Sequence, residues 1–137
     1  MPTTRELNVQ MEDRPGTFGK LCGALANHKV NILAFQASSD ERRSQVHLVV
    51  DNLAAAKAVL GAEGFAYTEV AVAQAALPNR PGELARAASR LGDAKININY
   101  AYGGVDPGTN ALLVFFGVPE VERAATILDQ VAAAAAT

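Results

Sequence analysis

The chain has 137 residues, with twelve Lys and Arg against fourteen Asp and Glu, a formal net charge of −2. That balance argues against a nucleic-acid partner, which selects for a basic face, and the single cysteine, Cys22, excludes an intrachain disulfide and a multi-cysteine zinc site. Residues Met1 to Glu6 contain no apolar signal region and no apolar run approaches a membrane span, so the expected setting is the cytoplasm, with no membrane partner.

Leu7, Val9 and Met11 alternate with polar neighbours, the period-2 pattern of a half-buried strand. Asp13-Arg14-Pro15-Gly16 breaks that strand, and proline suits the first turn of a helix. From Thr17 to His28 the apolar residues Phe18, Leu21, Cys22 and Leu25 fall on one helical face. Val30 to Ala37 reads as a second strand, Ser38 to Ser44 as a charged turn with Asp40-Glu41-Arg42-Arg43 in solvent, and Gln45 to Asp51 as a third strand. Leu53 to Ala62 carries helical spacing, Gly64 ends it, and Phe65 to Val70 forms a fourth strand.

The order then starts again. Val70 to Leu77 is the next strand, Asn79 to Gly82 a turn, Glu83 to Gly92 a helix, Ile96 to Tyr102 a strand, Gly103 to Asn110 a loop, and Ala111 to Val118 a strand. A last helix begins near Glu120. The restart is visible in the letters: Arg14-Pro15-Gly16 returns 66 residues later as Arg80-Pro81-Gly82, and Lys29-Val30-Asn31-Ile32 as Lys95-Ile96-Asn97-Ile98. Repeats of this length take precedence over other readings. By Val59-Leu60 and Ile127-Leu128 the offset has grown to 68, which the longer Gly103–Asn110 loop explains. The sequence therefore predicts an α+β fold of two tandem ferredoxin-like βαββαβ modules, residues 1–69 and 70–137, each an antiparallel sheet with helices on one face. The second module is expected to lack its last strand, because Ala133 to Thr137 is alanine-rich and alanine is a poor strand former. An open edge of that kind needs cover, and a module of this size alone is marginal, so a homodimer is expected.

Little in the sequence supports catalysis. His28 and His47 have no metal-ligand spacing nearby, Cys22 lies on an apolar face, and the Pro-Gly turns lack the further glycines and lysine of a phosphate loop. No catalytic residue, metal or cofactor is assigned. The repeated turn has different chemistry. Each copy feeds a helix N-terminus, whose free N–H groups and dipole favour a carboxylate, and glycine lets a ligand approach the backbone. Asp13 can pair with an ammonium group; the competing reading is that Pro-Gly only shapes the turn while Asp13 or Asn79 caps the helix. Asn31 and Asn97 open the second strand of each copy, with amides able to donate to or accept from a ligand, or serve only as turn residues.

The pattern [Asp/Asn]-Arg-Pro-Gly-x-[Phe/Leu], a helix, then [Val/Ile]-Asn-Ile resembles the ACT domain, a βαββαβ regulatory module of amino-acid metabolism. Both halves resemble it, as in stand-alone tandem ACT proteins without a catalytic domain. The resemblance implies a non-catalytic regulatory protein whose amino-acid ligand sits between two modules, at the Pro-Gly loop of one and the second strand of its neighbour. It implicates Asp13, Arg14, Pro15, Gly16, Thr17 and Phe18 with Asn31, Ile32 and Leu33. In the second copy it implicates Asn79, Arg80, Pro81, Gly82, Glu83 and Leu84 with Asn97, Ile98 and Asn99. An enzyme of amino-acid metabolism is an implied partner, and a ligand-independent interaction module is the alternative. Where the family usually has glycine before [Val/Ile]-Asn-Ile, Lys29 and Lys95 stand here. Glu83 would repel a carboxylate if turned inward, which favours the first loop as the better site.

Overall fold

The computed structural model describes residues 3–40 and 43–135, and it divides into two compact units, Arg5–Val70 and Ala71 onward with the first residues of the chain. Among the described residues there are six strands and four helices: β1 (Thr3–Glu12), α1 (Thr17–Asn27), β2 (Ile32–Asp40), β3 (Arg43–Val50), α2 (Leu53–Ala62), β4 (Ala66–Pro78), α3 (Glu83–Asp93), β5 (Tyr100–Asp106), β6 (Ala111–Gly117) and α4 (Val121–Ala135).

In the first unit β1 pairs antiparallel with β3, and β3 with β2. The cross-strand partners Leu7 and Leu48, and Val9 and Val46, present their side chains on one face of the sheet. That face packs with Leu21 and Leu25 of α1 and with Ala56, Val59 and Leu60 of α2 in one core, so both helices cover the same side. The helix α2 begins where Asn52 accepts the Ala55 N–H through its side chain at 3.0 Å, an ordinary N-cap.

The second unit repeats the plan. The β6 strand lies between β4 and β5, antiparallel to both. Ala73, Ala75 and Leu77 of β4 join Val114 and Phe116 of β6 against Ala87 and Leu91 of α3 and Ala124, Leu128 and Val131 of α4. The repeat holds at the level of register: Leu7 pairs with Leu48, and the residues 66 and 68 further on, Ala73 and Phe116, pair with each other. The change of offset falls in the hairpin turn, two residues between Asp40 and Arg43 but four between Asp106 and Ala111.

Several expected boundaries move. The strands of the first hairpin run through most of the expected Ser38–Ser44 turn, because the backbone ladder continues to Asp40 and Arg43; Asp40 and Arg43 are exposed, while Glu41 and Arg42 lie outside the described residues. Likewise β5 runs on to Asp106, into the expected loop, and starts at Tyr100 rather than Ile96. Residues Phe65 to Leu77, expected as two abutting strands, contain one continuous strand, β4. The apolar run Ala111–Val118 occupies a central strand with Val114 to Val118 buried, so it has no free edge to offer a partner. The chain's last described element is α4; Ala136 and Thr137 lie outside the described residues.

Candidate functional site

Both repeated turns fold alike down to the dihedral angle. Gly16 and Gly82 are the N-cap residues of α1 and α3, at φ 92, ψ −13 and φ 92, ψ −14. This left-handed conformation is open to glycine at little cost and strained for other residues, so the glycine of each Arg-Pro-Gly is required by the backbone itself. Nothing lies within 4 Å of the position a Cβ would take at either glycine, which leaves the backbone approachable.

Neither helix start is capped by a side chain. The competing reading of Asp13 and Asn79 as caps is therefore corrected: Asp13 accepts from Ser44 Oγ at 3.3 Å and Asn79 donates to Asn110 Oδ1 at 3.2 Å, both reaching across to the hairpin. In the first copy Thr17 directs its hydroxyl at the Glu12 and Arg14 carbonyls (3.1 and 3.0 Å), which ties the turn together. Arg14 pairs with Glu12 at 2.7 Å in solvent. Pro15 is exposed, and α1 has no acidic residue in its first turn.

The second copy is wired differently. Pro78 stands where Glu12 stands in the first, and Arg80 turns instead onto Glu83, with Nη2 and Nε at 2.6 and 3.0 Å from Oε2. Arg86 Nη1 lies 3.6 Å from the other carboxylate oxygen. Glu83 is 3 % exposed, and its Oε1 receives no hydrogen bond. Pro81 and Gly82 are exposed, as is Leu84.

The strand starts come out unequal. Asn31 precedes β2 directly and is exposed; its backbone exchanges hydrogen bonds with Asp51, N–H to Oδ1 at 2.9 Å and carbonyl from the Asp51 N–H at 3.1 Å. Ile32 turns into the core, while Leu33 faces outward at 59 % exposure. Asn97 does not open a strand, because β5 begins three residues later. Its amide donates to Asn99 Oδ1 at 3.0 Å, and the Asn99 N–H donates to the Gly117 carbonyl at 2.8 Å; Ile98 packs on the core.

Phe18, on the same helical face as the buried Leu21 and Leu25, lies in the first turn of α1 and is exposed. Its ring meets that of Phe35 on β2, centroids 6.0 Å apart. Phe35 is 55 % exposed and was not singled out in the sequence, although its place two residues after Leu33 was a usable signal. Phe18, Leu33 and Phe35 thus leave large apolar side chains in solvent on the first module, around the start of α1 and the edge strand β2. Exposed apolar patches of this kind mark binding surfaces more often than scattered single residues do.

His47 is buried, with Nδ1 3.0 Å from Oε1 of the fully buried Glu6 on the neighbouring strand. Glu6 escaped notice in the sequence because nothing local marks a strand glutamate as buried. Cys22 is half-buried on α1, and burial pushes its thiol above the ordinary 9.0. No group of metal-ligating side chains occurs among the described residues, and no helix there is long and apolar enough to cross a membrane.

Comparison with known proteins places this geometry. Residues 5–60 match the family model of the ACT domain, over the module that carries the Asp13–Phe18 loop. No curated protein shows a significant match. Among solved structures, a protein from Bacteroides thetaiotaomicron is similar with a TM-score of 0.85 at 20% identity, over 93% of this chain and 88% of that one. The regulatory subunit of aspartate kinase from Thermus thermophilus follows the chain with a TM-score of 0.65 at 17% identity, over 96% and 97%. E. coli aspartokinase III, solved with lysine and aspartate, gives 0.58 at 13% identity over 98% of this chain and 32% of that one. The α+β fold with its antiparallel strands is thus ACT-like, and its six strands and four helices among the described residues fit a two-module arrangement.

Proposed function

We propose that this chain is a non-catalytic regulatory protein that binds an amino acid at the Asp13–Phe18 loop. The observation that carries the reading is the start of α1: a helix N-terminus with no side-chain cap and no acidic residue, behind a glycine approachable at its backbone, with Phe18 exposed beside it. The ligand carboxylate is stabilised by the free N–H groups and the helix dipole, the carboxylate of Asp13 meets its ammonium group, and Phe18 covers its apolar part. Asn31 and Leu33 at the start of β2 are proposed to complete the site from a second copy in a homodimer. The match of residues 5–60 to the ACT domain supports the reading, as does the likeness to a regulatory subunit. A protein solved with lysine and aspartate belongs to the same group of structures.

Binding of this kind regulates by favouring one packing of protomers over another, and an enzyme of amino-acid metabolism is the proposed recipient. The alternative reading, a ligand-independent interaction module, rests on Leu33 and Phe35 exposed along the edge strand β2. Thermal unfolding with each of the twenty proteinogenic amino acids separates the two. A ligand at a hundred times its Kd adds about 2.7 kcal/mol of stability, an increase easily read as a higher Tm. No increase with any of them refutes the ligand and leaves the alternative.

A further inference from the structure

We infer that Glu83 closes the second Pro-Gly loop to an amino-acid carboxylate, so that each chain holds one ligand, at its first loop. The inference rests on the amino-acid-binding reading above and extends it. The two loops share their backbone: the cap dihedrals agree within a degree and neither helix start has a side-chain cap. Backbone geometry therefore cannot distinguish them, and the difference lies in what stands in the first helical turn. In the first loop it is Thr17, neutral, its hydroxyl occupied by the Glu12 and Arg14 carbonyls. In the second it is Glu83, a carboxylate at the same repeat position, buried, and clamped from both sides of the turn by Arg80 at 2.6 Å and Arg86 at 3.6 Å.

Glu83 thereby supplies from within the chain the charge that a ligand carboxylate would bring. It complements the dipole of α3, and it engages the loop's own arginine, Arg80. In the first loop the corresponding Arg14 is drawn aside by Glu12, a residue replaced by Pro78 in the second copy. A second carboxylate arriving at α3 finds the helix dipole and the Arg80 and Arg86 guanidiniums already engaged by Glu83. The buried Oε1 oxygen, which accepts no hydrogen bond, adds an acceptor and no donor to the helix start. It has nothing to give a carboxylate.

The test uses the full chain and isothermal titration with whichever proteinogenic amino acid raises the Tm most. Wild type is expected to bind one equivalent per chain. Glu83→Thr, which gives the second loop the first loop's residue, is expected to bind two. Thr17→Glu, which imports the closing carboxylate into the first loop, is expected to weaken binding by on the order of 100-fold. Two equivalents in wild type, or one in a folded Glu83→Thr, overturns the inference and leaves the amino-acid reading intact. So does a Thr17→Glu variant that binds like wild type, and this arm stands even where Glu83→Thr fails to fold. No binding by wild type to any amino acid sinks the amino-acid reading itself.

Discussion

Lys29 and Lys95 sit in the left-handed region, at φ 60 and 65. Both close the preceding helix in the same way. The Lys29 N–H donates to the Ala26 carbonyl and the Val30 N–H to that of Leu25, each at 3.0 Å; Lys95 and Ile96 do the same with Gly92 and Leu91 at 2.9 and 3.0 Å. This is the helix-ending motif in which glycine is the usual left-handed residue. It explains why the family pattern has glycine where this chain has lysine: the backbone demand is unchanged, and lysine meets it at a cost. To isolate that cost, Lys29→Gly is compared with Lys29→Ala, since both remove the same charge from the helix C-terminus. The left-handed conformation costs a residue with a Cβ about 1–2 kcal/mol, and the greater freedom of glycine in the unfolded chain returns about 0.4–1 kcal/mol. The glycine variant is thus expected to be more stable than the alanine variant by about 0.5–1 kcal/mol. The two positions share no hydrogen bond, so the double glycine variant should exceed the double alanine variant by about 1–2 kcal/mol. Urea unfolding followed by circular dichroism measures it, with each kcal/mol worth about 3 °C in Tm for a chain of this length. An alanine variant as stable as the glycine variant at both positions refutes the reasoning.

Gly16→Ala should destabilise by about 1–2 kcal/mol in chemical unfolding through backbone strain alone, since the space around it is empty. Gly103→Ala and Gly104→Ala, adjacent in β5, should part company: a Cβ at Gly103 meets the Leu113 backbone and costs about 1–3 kcal/mol, whereas one at Gly104 meets nothing and should be near neutral. Glu69 is hydrogen-bonded by Lys57 at 2.9 Å and by Arg5 at 2.8 Å; Lys57 chiefly holds its carboxyl below the ordinary 4.5, and Glu69 in turn holds the Lys57 ammonium above 10.5. The carboxyl contribution is present above pH 4.5 and fades as pH falls through the lowered value; the ammonium contribution is present below pH 10.5 and fades as pH rises through the raised one. The Tm gap between wild type and Glu69→Gln should accordingly be small at neutral pH, as for exposed pairs generally, vanish in acid, and shrink with added salt.

Much of the fold was legible because duplication writes it twice. The alternation at Leu7, Val9 and Met11 and the spacing of Leu21 and Leu25 each predict burial, and each residue is in the core. Phe18 shares the helical face of Leu21 and Leu25 yet is exposed, since helical spacing reports which face a residue is on but not how fully its neighbours cover it. The strands ran further than expected at both hairpins because ladder hydrogen bonds hold even polar residues such as Ser38 and Ser39 in extended backbone. Of the candidate site, the glycines were legible from Pro-Gly itself. The partners of Arg14 and Arg80 follow from the letters, since the first loop carries Glu12 and Thr17 where the second carries Pro78 and Glu83, but the burial of Glu83 was not legible because no local pattern marks it.

The hairpin turns carry a practical lesson for anyone altering this protein. Between its two halves the chain has already accepted a two-residue insertion, and the ladder on either side kept its register. Growth at a hairpin tip is absorbed where it occurs, whereas one residue added inside a strand turns every following side chain to the opposite face. The Pro107–Asn110 turn, exposed throughout, is therefore the natural place to lodge a fluorophore or a short tag. Such a probe reports on the molecule while leaving the ladder that shapes it untouched.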